Sequence, residues 1–460
     1  MGQRETETGA SHVFSRASLP DPPRVDRGKG AELWDTEGRR WLDGAGGAIV
    51  VSLGHGDERV VEAVRSQAAR VAYVHGTMFT SDVLETYAAE LAQVVPVDGA
   101  RVYPVSGGSE AVETALKMAR AYHLARGQDR WKVIGREGSY HGNTRGALDA
   151  SGRVPLRRPY LPWLTHASHT LAAYEYRCPF GDTHPAGCGR RYAGALDAAI
   201  REAGPETVAA FVAEPVAGAA LGAAVPPDDY WAAVAEVCRA HGVLLVADEV
   251  MTGFGRTGRW FGGDHWGVRP DILVAAKGAS SGYWPLGLAV ASAQVHDTVA
   301  EGGFTHGLTY SHHVVGAAAG LAVLRILRED DLIEAATVKG RQLQAALAAQ
   351  LGDHPAVGDV RGIGLMVGVE LVADRASREP FPRAARLTER VVAAARDRGL
   401  LLYASTGCVD GHDGDLVMLG PPFVTTTAQI DEMTELCAAA IRAATTTPPA
   451  ARLAGRDRGR

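Results

Sequence analysis

Between residues 76 and 325, short runs rich in Val, Ile and Ala alternate with stretches of helical periodicity, the βαβ pattern of a mostly parallel sheet. Five of these runs end at residues able to do chemistry. Arg101 to Val105 leads into Ser106-Gly107-Gly108-Ser109-Glu110, and Lys132 to Gly135 leads to Tyr140-His141-Gly142. Ala209 to Ala213 meets Glu214-Pro215, Val243 to Ala247 meets Asp248-Glu249, and Ile272 to Ala275 meets Ala276-Lys277-Gly278. In a doubly wound α/β sheet the ligand crevice lies outside the carboxyl ends of the strands. The pattern therefore predicts that five loops, distant in sequence, converge on one edge.

The flanks read differently. Residues near 31 to 53 read as short strands, with a hairpin over Trp34 to Arg39 in which Gly38 supplies the turn. Beyond residue 326, two amphipathic helices, around 331–352 and 384–399, flank the apolar segment Gly362 to Leu371. The expectation is a large α/β domain over 76–325 and a smaller α+β domain built from 13–75 and 326–447. The ends, 1–12 and 448–460, are polar or Ala/Arg-rich without apolar periodicity and are expected to be disordered.

Composition acts by exclusion. Lys and Arg number 47 against 53 Asp and Glu, a net charge of -6, which gives no electrostatic reason to expect nucleic acid or an anionic membrane as partner. A small molecule is the expected partner. No apolar run approaches the roughly 20 residues that span a bilayer, and MGQRETETGASHVF lacks a signal-peptide apolar region, so a cytoplasmic location is expected. The five cysteines, Cys178, Cys188, Cys238, Cys408 and Cys437, are scattered and odd in number, which argues against a disulfide framework. Cys178, His184 and Cys188 lie close together in a Pro/Gly-rich loop, but no fourth metal ligand is evident in the spacing, and the expectation is no metal.

A lysine amine can form a Schiff base with an aldehyde cofactor, and a carboxylate facing the cofactor's ring nitrogen lets the ring accept electrons. The lysine must be desolvated, because a free amine near pKa ~10.4 is mostly protonated at neutral pH. Burial and nearby positive charge are expected to lower it. After Val105 a helix is predicted, since Val112, Ala115, Leu116 and Ala119 fall at i, i+3, i+4 and i+7. Its Gly-rich start presents free N–H groups and the positive dipole end, with the Ser109 hydroxyl beside them, which suits a phosphate. It is not the dinucleotide GxGxxG pattern. Phosphate loop, aromatic platform, ring-nitrogen acid and amine are together the parts of a pyridoxal 5'-phosphate site.

The segments SGGSEAVETALKMAR, SYHGNT, AEPVAG, ADEVMTGFGRTG, AAKGASSGYWPLG and THGLTYSHH closely resemble the class III, or omega-type, aminotransferases of fold type I, in the family's order across roughly residues 30 to 440. The resemblance implies a pyridoxal phosphate enzyme, usually a homodimer, whose small domain is formed by both chain ends. It implies that Lys277 forms the Schiff base and moves protons, that Asp248 pairs with the pyridine nitrogen, and that Glu214 helps order the site. Val250 and Tyr140, with His141 beside it, would hold the ring, Gly107, Gly108 and Ser109 the phosphate, and Thr309 would reach the phosphate in the neighbouring subunit. The implied reaction is a ping-pong transfer of an amino group from an amine or amino acid to a keto acid such as pyruvate or 2-oxoglutarate. Aminomutases, epimerases, lyases and decarboxylases of the family share these cofactor residues and remain an alternative.

Two departures concern substrate. Where many family members place a carboxylate-binding arginine before a Pro-Pro pair, this chain has Met418, and where amine–pyruvate transaminases carry a mobile arginine it has Gly411, beside His412. A bidentate guanidinium is the best partner for a carboxylate, and Arg153 is the candidate substitute. Ile49, His75, Phe79 and His412 are further candidates to line the substrate pocket.

Overall fold

The structure, a computed structural model, describes residues 12–14, 22–164, 167–181 and 188–446. Its centre is a seven-stranded sheet made of β1 (Arg101–Val105), β2 (Lys132–Arg136), β3 (Ser168–Thr170), β4 (Val208–Ala213), β5 (Leu244–Asp248), β6 (Ile272–Ala275) and β7 (Gly287–Ala291). Their spatial order is β1-β7-β6-β5-β4-β2-β3. Strands β4 to β7 are buried along their whole length, as expected of strands covered on both faces. Only β7 runs antiparallel to its neighbours, β1 and β6. The connection from β6 to β7 is too short for a helical crossover, so the chain turns back. Because β1 is reversed relative to β7, all five strands that end at chemistry-bearing residues point the same way.

Helix α1 (Gly108–Ala125) lies across one face of this sheet. It presses Ala111, Val112, Ala115 and Ala119 onto Val212, Val246, Val274 and Ala289. Small residues on the helix let it approach the sheet closely and hold its N-terminus at the strand ends.

The two chain ends meet in a second sheet. Strands Val25–Lys29, Glu32–Asp35 and Arg40–Asp43 form a meander, and Leu400–Leu401 adds in parallel at its edge. The hairpin turns at Gly38, which has φ 82°. A third, antiparallel sheet holds Val357–Ile363, Met366–Leu371, Asp415–Leu419 and Tyr403–Thr406. The apolar segment Gly362 to Leu371 is therefore a turn and one strand of a hairpin. The two expected helices are Leu332–Leu351 and Leu387–Asp397. A third, Thr427–Thr446, was not foreseen; its buried stripe of Ile430, Met433, Cys437 and Ile441 is interleaved with Ala and Thr, which mute the apolar contrast. One continuous core joins this helix to the central sheet through Phe423, Phe254, Leu273 and Leu288.

Candidate active site

A cavity of about 390 Å³ opens at the carboxyl edge of the sheet, and every one of the five loops contributes to its wall. From β1 come Ser106 to Ser109, from β2 Tyr140, His141 and Gly142, from β4 Glu214, from β5 Asp248 and Val250, and from β6 Lys277. The convergence expected from the alternating pattern is what the fold produces.

The β1 loop suits an anion. Helix α1 starts at Gly108 behind Gly107, with no side chain capping it, so backbone N–H groups of the first turn remain for another acceptor. A Cβ on Gly108 would stand 3.1 Å from a Val250 methyl, so glycine lets this turn lie against Val250 without displacing it. Ser109 Oγ accepts from the Asn143 amide at 3.1 Å, which fixes the hydroxyl beside the loop.

Asp248 is buried, and its two oxygens have different partners. Oδ2 lies 2.6 Å from His141 Nδ1, and Oδ1 accepts from the Val250 amide at 3.0 Å. His141 Nε2 is buried with no partner. Glu214 is also buried; Oε1 accepts from the Gly218 amide at 3.2 Å, Oε2 has no partner, and burial raises its pKa. Its neighbour in sequence logic, Glu249, does a different job. It accepts from the amides of Gly262 and Gly263 at 2.8 Å and from the Thr252 hydroxyl, and burial pushes its pKa up to about 7. Glu249 holds the following loop; Asp248 faces the cavity.

Lys277 sits on the cavity floor with φ 43°, a left-handed conformation that costs a non-glycine residue energy and commonly marks a functional position. Its Nζ donates to the Ala48 carbonyl at 2.9 Å. Removal from bulk water lowers its pKa to about 8, against the opposing pull of Asp248 and Glu214 and with a smaller push from Arg256. Burial and positive charge both act in the expected direction, and burial is the larger.

The candidate substrate residues fall elsewhere. Ile49 has φ 56°, which turns it into the core beside Met366 and Met418, and its neighbour Val50 lines the cavity instead. His75 and Phe79 are on the surface, not in this cavity, with Met78 73% and Phe79 64% exposed. Thr309 is exposed beside them, its carbonyl accepting from the Tyr73 hydroxyl at 2.9 Å. Arg153 lines a separate cavity with Arg177 and Tyr174, donating to Ser405 Oγ at 2.9 Å. His412 is exposed and bonded to Asp413. No side chain fits at position 411, where a Cβ would stand 2.5 Å from Val154 Cβ. Among the described residues lining the active cavity there is no arginine, and Lys277 is the only lysine.

Sequence reasoning missed Met251, Trp284, Pro285 and Leu286 in the cavity wall. It also missed Arg256, buried over the Phe423 ring and donating to the carbonyls of Val51, Leu365 and Pro421. The motif ADEVMTGFGRTG contains it, but a buried strut looks the same as a surface arginine in sequence. Cys178 and Cys188 have their sulfurs 3.4 Å apart; His184 lies outside the described residues, and among those described no group of three or more His, Cys, Asp or Glu is placed to hold a metal.

Uncapped amides at a helix N-terminus, an orphaned carboxylate oxygen, a fixed aspartate and a desolvated lysine fit a phosphorylated aldehyde cofactor. Residues 13–441 match the class III aminotransferase family. The chain is a class III aminotransferase. As such it is a pyridoxal phosphate-dependent transaminase of fold type I. The aminotransferase is 37% identical to an uncharacterized aminotransferase of Bacillus subtilis, YodT, over 89% of this chain and 93% of that one. It is 36% identical to a putrescine–pyruvate aminotransferase of Pseudomonas aeruginosa, over 90% and 89%. Among solved structures, a thermostable (S)-enantioselective omega-transaminase from Thermomicrobium roseum superposes with a TM-score of 0.89 at 39% identity, covering 95% of this chain and 97% of that one.

Proposed function

We propose that this aminotransferase takes the amino group of a donor whose body is apolar and passes it to a small keto acid, pyruvate or 2-oxoglutarate, in two half-reactions at one site. The observation that carries the donor reading is the cavity wall: Val50, Ala219, Met251, Trp284, Pro285 and Leu286 are apolar, and no arginine is there to hold an α-carboxylate. The choice of keto acids follows relatives named for them, putrescine–pyruvate and taurine–pyruvate aminotransferases and a diaminobutyrate–2-oxoglutarate transaminase.

The cofactor, when bound, supplies an aldehyde that carries the amino group and a ring that takes up the electron pair released at the substrate carbon. Lys277 Nζ, desolvated and lining the cavity, would be the amine that holds it and would move the proton at the substrate carbon. Asp248, oriented by His141 and the Val250 amide, would pair with the ring nitrogen. Val250 and Tyr140 would hold the ring, while the amides of Gly107 and Gly108 and the Ser109 hydroxyl would receive the phosphate. Glu214, with one oxygen unpartnered, orders the near edge of the site.

The functional unit is a homodimer in this reading. Met78, Phe79 and Tyr310 are exposed apolar side chains, with Tyr310 61% exposed and in edge contact with Tyr73. Docking of a second copy there brings Thr309 of the partner subunit to the phosphate and His75 and Phe79 to the partner's cavity mouth. Five unbridged cysteines fit a reducing, cytoplasmic compartment.

The test follows the bound cofactor's absorption band as amine donors and then keto acids are added, with Lys277→Ala alongside. Bleaching by a donor and recovery with a keto acid, in the native protein alone, supports the reading. Turnover without any keto acid points instead to an aminomutase, epimerase, lyase or decarboxylase.

A further inference from the structure

Away from the active cavity, two thiols touch. Cys178 follows the short helical turn Glu175–Arg177, and Cys188 opens the helix Cys188–Ala203. Their Sγ atoms are 3.4 Å apart, against about 2.05 Å in a disulfide bond. Cys188 is buried and Cys178 is half-buried, so one sulfur is reachable and the other waits behind it. The remaining thiols, Cys238, Cys408 and Cys437, are all buried.

The pair joins two parts of the fold. In the turn that carries Cys178, Arg177 Nε donates to Glu370 at 2.7 Å, and Glu370 belongs to the strand Met366–Leu371 of the third sheet. Cys188 and Tyr192 belong to the core cluster behind the central sheet, Cys178 packs against that same cluster, and the Tyr192 hydroxyl donates to the Tyr174 carbonyl at 3.4 Å. A covalent bond between the sulfurs would tie the turn holding Glu370 to the helix packed on the central sheet.

We propose that Cys178 and Cys188 form a reversible disulfide, a redox-responsive clip between the central sheet and the third sheet. The oxidant is a low-molecular-weight disulfide. The Cys178 thiolate attacks one of its sulfurs, a mixed disulfide forms, and one small thiolate leaves. Cys188 then gives its proton to water, its sulfur attacks the Cys178 sulfur, and the second small thiolate leaves. The protein loses two protons and two electrons, which convert the small disulfide into two thiols. Cys178 makes the first attack because it is the more exposed of the two; burial and the neighbouring sulfur push the Cys188 thiol up to about 11, so it reacts second and more slowly.

The test incubates the cofactor-loaded, full-length protein with glutathione disulfide, then alkylates it under denaturing conditions and maps the peptides by mass spectrometry. The expected result is three alkylated cysteines and one Cys178–Cys188 link, returned to five alkylated cysteines by dithiothreitol. The oxidised protein is expected to melt a few degrees higher, on the order of 2–5 °C, reversibly. Cys188→Ser should stop at a glutathione adduct on Cys178. Five alkylated thiols in the native protein after incubation, a link between other cysteines, or no adduct on Cys178 in Cys188→Ser overturns the proposal. The readout is a thiol map, so it stands or falls independently of which substrate the enzyme uses.

Discussion

The cavity has two walls made in different ways. On one side, Asp248, Glu214, His141 and Lys277 stand at the ends of buried parallel strands, each held by a short hydrogen bond or by burial. On the other, Val50, Trp284, Pro285 and Leu286 come from turns, and the exposed segment around Phe79 and Thr309 waits at the surface. The first wall is rigid because the sheet's own core positions it. The second is packing borrowed from the N-terminal turn and, in the dimer reading, from another copy. In the proposed function, chemistry falls to the wall set by the sheet and substrate choice to the wall set by the turns.

That contrast is broken most severely from the rigid side. Lys277→Ala removes the amine proposed to link the cofactor and move the proton, and turnover is expected to fall by about 10⁴ or more with little change in thermal midpoint. Asp248→Asn keeps the shape but removes the charge proposed to pair with the ring nitrogen; kcat is expected to fall by roughly 10²–10³, measured with saturating cofactor. If either variant keeps native turnover, the strand-end wall does not carry the chemistry.

The remaining predictions test the softer wall and the lysine's environment. Phe79→Asp places a charge in the exposed apolar surface, and sedimentation should show monomer accompanied by roughly tenfold weaker cofactor retention, since the partner's Thr309 is then lost. A dimer of unchanged affinity contradicts the proposed interface. The Lys277 amine, with its pKa lowered to about 8, should make cofactor capture by apoprotein rise about tenfold per pH unit up to about pH 8 and level off above it. Because the folded value lies below the ordinary lysine value of 10.5, the folded state binds fewer protons between those two pH values, so this group makes apoprotein stability rise with pH there. Smallest is Val50→Ala, expected to improve kcat/KM for a bulky amine over a small one by up to about tenfold while leaving the cofactor band unchanged.

The rigid wall was also the legible one. Strands buried on both faces must be continuous runs of Val, Ile, Leu and Ala, and such runs stand out, as do the polar residues that end them. The other wall depends on conformations that no residue type announces. Whether Ile49 or Val50 faces the cavity is decided by a positive φ at Ile49, and the two are nearly interchangeable in sequence. His75 and Phe79 read as pocket residues, yet a single chain displays them on its surface, because a sequence does not say whose pocket a residue enters. Gly411 and Met418 were read from the motif positions, but only the backbone reveals that Val154 fills the space a side chain at 411 would need. Arg153 was the natural substitute and instead faces a neighbouring cavity.

The most direct test of the central claim is to supply a ¹⁵N-labelled amine with pyruvate, and separately with 2-oxoglutarate, and to follow the label by mass spectrometry in native protein and in Lys277→Ala. The account predicts labelled alanine or glutamate from the native enzyme, in amounts equal to the amine consumed, and none from the variant. Consumption of the amine with the label released as ammonia, or labelled amino acid formed equally by Lys277→Ala, would contradict it.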